Sequence, residues 1–155
     1  MSTSSTATST MTATMTPDER KQVAVDYFKL MDSGQDFLHL FDEDAYVYFP
    51  KHEVARGFKE VQQLFADLLP MFNGIVHDNA YFNYVVHDDF VIAEGMTSGE
   101  LADGTTWSGG KSLGGRFCDV FEIRGGRIQR LHIYLDPDYG DRDTARYPWL
   151  TSQQA

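Results

Sequence analysis

The stretch Gly114 to Asp138, GGRFCDVFEIRGGRIQRLHIYLDPD, constrains this chain more than any other because it reads as one long β-hairpin. Apolar residues alternate through its first arm at Phe117, Phe121 and Ile123, and through its second at Leu131, Ile133 and Leu135, so each arm has one face to bury. Gly125-Gly126 between them supplies the positive φ that a two-residue hairpin turn requires. Asp119 shares the face of Phe117, Phe121 and Ile123, which aims a carboxylate at whatever those side chains bury. Such a group is costly unless it is hydrogen-bonded, paired or protonated, so a polar partner is expected opposite it.

A chain of 155 residues, 42% hydrophobic, is long enough for one domain with a sizeable core and too short for two ordinary ones. Thirteen basic against 23 acidic side chains give a net charge of −10, which disfavours nonspecific binding to nucleic acid or to an anionic membrane surface. Cys118 is the single cysteine, so no intrachain disulfide can form, as suits a reducing compartment. Residues 1–16 hold eleven Ser or Thr and no charge, and read as a disordered leader. No stretch reaches the ~18 consecutive apolar residues of a membrane span. The expectation is a soluble, cytoplasmic protein.

Thr16-Pro17-Asp18-Glu19 announces a helix, with a capping threonine, proline at the first position and acid in the first turn. Val23, Tyr27, Leu30 and Met31 follow at helical spacing as far as Ser33-Gly34. Asp36 then opens a second, short helix with Phe37, Leu40 and Phe41. Ala45 to Pro50 reads as a short strand near a sheet edge, since proline cannot donate to a ladder. Gly57 through Phe72, with Phe58, Val61, Leu64, Phe65, Leu68 and Leu69 on one stripe, is an amphipathic third helix. Four strands follow, about Val76–Val86, Phe90–Leu101, Gly115–Arg124 and Arg127–Leu135, in an antiparallel meander, with 101–114 a polar, glycine-rich connection. Helices gathered ahead of strands indicate an α+β domain over 17–138, with three N-terminal helices packed on a curved antiparallel sheet. Residues 139–155 form a C-terminal loop and tail.

That order of parts, with KLMDSGQDFLHLFDEDAYVYFP near the front and FEIRGGRIQRLHIYLD at the back, resembles the superfamily of nuclear transport factor 2 (NTF2-like), SnoaL-like polyketide cyclases, ketosteroid isomerase, scytalone dehydratase and limonene epoxide hydrolase. The resemblance covers roughly residues 17 to 138 and implies a cystatin-like cone around a small-molecule pocket; activity must be argued from the site. Tyr27 matches the oxyanion-hole tyrosine of ketosteroid isomerase, and Asp119 a second acid of that enzyme. Its catalytic base would fall at Phe49 and its partner acid at about Gly115, so isomerisation by that route is rejected. The Asp-Arg-Asp set of the epoxide hydrolase falls at Gly95, Thr97 and Ile133 and is absent. Asp32 and His77 match the helix-end aspartate and one of the two histidines of scytalone dehydratase, whose tyrosine is replaced by Met31 or Phe49. The SnoaL cyclases, which close a ring with an acid and a histidine, match mainly in framework.

Strand parity combined with the concave face of that superfamily predicts a pocket. Ala93, Gly95, Thr97 and Gly99 share one face, and their small size leaves room for a ligand. Phe117, Asp119 and Phe121 form the next wall, Leu131, Ile133 and Leu135 another, and Tyr27 with the third helix the cap. Asp32 and Phe49 complete the substrate-binding set. His77 and Asp119 are the expected acid/base pair, an imidazole held in one tautomer by a carboxylate. Against this, His77 could simply satisfy a polar position at a strand start, Asp119 could pair with an arginine, Tyr27 could be core, and Asp32 could bond its own backbone. His132 and Tyr134 lie on the opposite face with Cys118, Val120 and Met96, and relatives dimerise through that face, so a homodimer is expected. Thr105-x4-Gly110-Lys111-Ser112 lacks the first glycine of a phosphate-binding loop and joins strands. The five histidines have no metal-ligand spacing. The expectation is therefore no cofactor and no metal, with either a lyase or isomerase acting on a hydrophobic carbonyl or hydroxyl compound, or a non-catalytic binding or assembly module.

Overall fold

The structure, a computed structural model, describes residues 14–78, 81–112, 114–136 and 146–147. The Ser/Thr-rich leader up to residue 13, and all of the 139–155 tail except Arg146 and Tyr147, lie outside the described residues. Helix α1 spans Pro17–Asp32. The Thr16 hydroxyl accepts from the Glu19 N–H at 3.2 Å while the Glu19 carboxylate accepts from the Thr16 N–H at 2.7 Å, so two otherwise orphaned donors are satisfied reciprocally. Strands β1 (Phe41–Tyr48) and β2 (Ala55–Arg56) come next, then helix α2 (Gly57–Leu68). Six strands complete the chain: β3 (Phe72–His77), β4 (Asn83–His87), β5 (Phe90–Leu101), β6 (Thr106–Trp107), β7 (Arg116–Arg124) and β8 (Arg127–Leu135).

Among the described residues there are two α-helices where three are expected. Asp36 does not open an α-helix: its carboxylate accepts from the Leu38 N–H at 2.9 Å and closes a single 3-10 turn, Leu38–Leu40. Phe37 and Phe41 are buried on either side of that turn, and Phe41 already pairs with Ile128 of β8, so the sheet takes the residues a helix would have used. The last turn of the expected third helix is likewise a 3-10 turn, Leu69–Met71, around Pro70, and Phe58 lies largely outside the buried stripe.

The strands form one sheet in the order β2-β1-β8-β7-β5-β3, with β4 and β6 also on β5. The terminal hairpin is as expected, turning at Gly125-Gly126 with both φ positive. Strand β1 differs: it begins at Phe41 rather than Ala45, and lies between β2 and a parallel partner, β8, instead of at the edge. The single strand expected over Val76–Val86 is two. β3 pairs with Thr97–Leu101 and β4 with Phe90–Glu94, end to end along one side of β5. The glycine-rich connection contains β6, whose Trp107 packs over the Gly99 and Gly115 backbone.

Helix α1 lies against β3, β4, β5 and β7, and its buried face joins α2 to the sheet through aromatic rings. Tyr27 packs edge-on to Phe28, Phe37, Phe41 and Phe121. Burying each such side chain contributes about 2–3 kcal/mol. The first turn of α1 is pinned by Arg20, 8% exposed, which donates to the Ile123 carbonyl (3.2 Å), the Met15 carbonyl (2.8 Å) and the Asp89 carboxylate (2.8 Å). The Asp89 side chain is 38% exposed, so the ion pair itself adds little; the buried carbonyl contact matters more. Arg20→Met should lower unfolding stability by about 2 kcal/mol, because it orphans that carbonyl. Denaturant titration measures this, and a loss below about 0.5 kcal/mol would assign α1 anchoring to its apolar face alone.

Candidate functional site

Asp32 is the last residue of α1, at the end of a helix where the macrodipole disfavours negative charge. Its carboxylate is held there by two bonds to one residue 45 positions on. The His77 ring Nδ1 lies 2.6 Å from Oδ1, and the His77 backbone N–H donates to Oδ2 at 3.0 Å. A carboxylate only accepts, so Nδ1 carries the hydrogen, and in the neutral ring Nε2 keeps its lone pair. Nε2 has no hydrogen-bond partner among the described residues. The ring is clamped further by Phe28 and Phe117, whose centroids lie 4.9 and 5.3 Å away. At 8% exposure for His77 and 16% for the Asp32 side chain, the pair is shielded from solvent, which strengthens it.

His77 forms part of the wall of a cavity between the helices and the sheet. Tyr27 and Met31 come from α1, Phe65 and Leu68 from α2, and Leu69 from the turn after it. Phe49 follows β1, Phe72 and Ile75 precede His77 on β3, Phe117 and Asp119 are on β7, and Ile133 and Leu135 on β8. The cavity volume is about 50 Å3.

Asp119 is 3% exposed, and its cross-strand neighbours are Ala93 and Ile133, neither of which offers a side-chain partner. Its Oδ1 makes no hydrogen bond among the described residues. Burial pushes the carboxyl well above the usual carboxylate range, because no nearby charge or donor offsets desolvation. Burial therefore favours the protonated acid, which has an O–H to donate. The cavity thus combines an imidazole oriented by a carboxylate with a buried carboxyl whose surroundings favour its protonated form, in an otherwise apolar lining.

His77, Asp119 and Tyr27 are brought together on the cavity wall, as are Phe49, Phe117, Ile133 and Leu135. Four others are not. Asp32 stands behind His77, bonded to it rather than to its own backbone. Phe121 is fully buried beneath Tyr27 and Phe28. The Thr97 hydroxyl donates to the Gly115 carbonyl at 3.2 Å and accepts from the Trp107 indole N–H at 3.0 Å, so its polar group is consumed by packing. The Gly95 face is covered by the Phe82 ring. The small residues of β5 therefore do not leave ligand volume: Phe82 and Trp107 fill it. The expected pairing of His77 with Asp119 is also corrected, since the carboxylate holding His77 is that of Asp32. Phe65, Leu68 and Leu69 come from the helix expected as the cap, whereas Met31, Phe72 and Ile75 escape sequence reasoning as lining residues, the last two because they depend on where β3 begins. Among the described residues no group of three metal-ligating side chains occurs, and no helix is long and apolar enough to cross a membrane.

Solved structures with the same fold include an NTF2-like protein from Anabaena variabilis (21% identity, TM-score 0.66, covering 86% of this chain and 98% of that one). A candidate polyketide cyclase from Sinorhizobium meliloti is similar at 16% identity and TM-score 0.58 (77% and 100% covered). TerC, co-crystallised with polyporic acid, is similar at 13% identity and TM-score 0.63 (86% and 98% covered). A search of curated proteins finds no match. Identities this low carry the fold and no more. The sequence profile of the SnoaL-like domain matches residues 24–131, which takes in both carboxylates, the histidine and the cavity-lining strands up to Leu131. By that match the chain belongs to the SnoaL-like domain family, with the NTF2-like fold.

Proposed function

We propose that the protein is a cofactor-independent lyase or isomerase acting on a hydrophobic carbonyl compound through proton transfer at carbon. The observation that carries this reading is the presence, on one apolar cavity, of a His77 imidazole oriented by Asp32 and of a buried Asp119 carboxyl whose surroundings favour its protonated form. His77 Nε2 takes a proton from the carbon next to the carbonyl, and Asp32 stabilises the imidazolium that forms. Asp119 donates a hydrogen bond to the carbonyl oxygen as enolate charge develops there, an interaction strengthened by the apolar surroundings. The enolate then regains a proton elsewhere, adds to a second carbonyl, or expels a β-hydroxyl. Those outcomes are isomerisation, aldol ring closure and dehydration respectively. Tyr27 adds a third polar side chain to the lining. The cyclase assignment of the Sinorhizobium relative is compatible with the aldol branch.

The test is solvent-deuterium exchange at the α-carbon of a panel of aromatic ketones and hydroxyketones, followed by NMR. Wild type should exchange at least one member faster than the His77→Gln/Asp119→Asn double variant. Equal rates across the panel would leave the non-catalytic binding reading in its place.

We also propose a homodimer through the outer sheet face. Tyr48, His132 and Tyr134 pack there edge-on or tilted, with centroids 5.7–6.2 Å apart, and Tyr134 is 48% exposed. Light scattering should find a dimer of the wild type and a monomer of Tyr134→Glu; a wild-type monomer at high micromolar concentration would exclude the interface.

A further inference from the structure

Gly95 lies inside β5, where a glycine forfeits both side-chain packing and backbone entropy. A Cβ there would come within 2.5 Å of the Phe82 ring and 2.9 Å of the Phe117 ring, so an aromatic ring occupies the place of the missing side chain. Phe82 belongs to no strand: it lies between β3 and β4 and immediately precedes β4. Its ring is half-buried and packs edge-on to Phe28, Phe117 and Tyr84, with centroids at 5.1, 5.4 and 5.7 Å. Phe28 and Phe117 are the same rings that clamp His77, and Phe117 is cavity wall, so Phe82 fills an aromatic box one ring beyond the cavity.

Two further observations mark that box as unfinished. The Tyr84 hydroxyl is buried and has no hydrogen-bond partner among the described residues, a condition that native structures usually explain with a water or a ligand. The cavity by itself has a volume of about 50 Å3. That is small beside the roughly 300–1,000 Å3 of an ordinary ligand pocket, so a two-ring ligand needs space beyond it.

We propose that the space now filled by the Phe82 ring, over Gly95, is an aryl subsite, taken by the distal ring of an aryl ketone when the Phe82 side chain turns outward. Phe82 is thus the residue that sets the length of ligand accepted. The inference rests on the cavity being a ligand site, but it concerns binding and not turnover.

The experiment compares the affinities of acetophenone and 4-acetylbiphenyl by NMR titration. Phe82→Ala should bind the biphenyl about tenfold or more tightly than wild type, because no side chain has to be displaced, while acetophenone changes by less than about threefold. Gly95→Ala puts a methyl group in the subsite and should weaken the biphenyl by about tenfold or more, again sparing acetophenone. If both probes shift equally in these variants, or neither shifts, the subsite assignment is overturned. If Phe82→Ala does not fold, Gly95→Ala decides alone. Absence of binding by either probe to every protein overturns the assignment together with the cavity reading. His77→Gln separates this inference from the catalytic one: it should slow exchange by about 10²-fold or more and keep the length discrimination.

Discussion

Replacing His77 with glutamine should lower turnover of an accepted substrate by about 10²–10⁴-fold, the range that a positioned general base contributes. Glutamine retains a polar group of similar reach but has no lone pair on nitrogen to take the proton. The loss should appear in kcat and kcat/KM equally, since a proton moves only in the transition state. Asp32→Asn should cause a loss in the same range by a different route. An amide can offer its own N–H to Nδ1, and the imidazole then adopts the tautomer whose hydrogen sits on Nε2 and blocks the base. Steady-state kinetics on both variants, with circular dichroism to confirm folding, check this. Activity of His77→Gln within about threefold of wild type would remove His77 from the chemistry.

Stability of the wild type should fall as pH rises from the ordinary carboxylate range toward neutrality, and Asp119→Asn should abolish much of that fall. Burial raises the Asp119 carboxyl well above its unfolded value, so between the two the native state holds a proton that the unfolded chain has released. Unfolding then becomes more favourable with each increment of pH, by about 1.4 kcal/mol per pH unit where the protonation difference is complete. Below the unfolded value both states are protonated and the penalty is absent; above the folded value it is constant. Asparagine fills the same space without ionising, so its melting temperature should be higher than wild type at pH 7 and show a flatter profile between pH 4 and 8. Parallel profiles for the two proteins would mean that Asp119 is ionised in the folded state, and the acid role assigned to it would fall.

What could be read in advance from the amino-acid order was what local rules decide. The β7–β8 hairpin follows from alternation and a Gly-Gly turn, α1 from its cap, and the α+β class from the order of parts. The inward placement of Asp119 came from parity alone. The partner of His77 did not, because nothing near Asp32 in sequence marks a helix-end carboxylate as a ligand for a ring 45 residues away. Phe82 was invisible for a related reason. Val76–Val86 alternates well enough to pass for one strand, and only the Asp32 clamp on one side and the aromatic box on the other show why it breaks in two. The small residues of β5 were noticed and misread, as volume for a ligand, when size pattern alone does not say whether a gap is filled by the chain itself.

The parallel pairing of β1 with β8 bears on how the molecule is made. Phe41 meets Ile128, and Val47 meets Leu131, across more than eighty residues of intervening chain. During synthesis, β1 emerges long before its partner and has only the two-residue β2 to pair with, so its other edge waits until the C-terminal hairpin has left the ribosome. Closing so long a loop is entropically expensive and slow compared with forming the local hairpins. Phe49, which follows β1, and Ile133 and Leu135, which end β8, line the same cavity. The cavity is therefore completed only by the step that joins the two ends of the domain, and a chain truncated before β8 would lack both a wall of the cavity and the sheet that holds the rest of it in place.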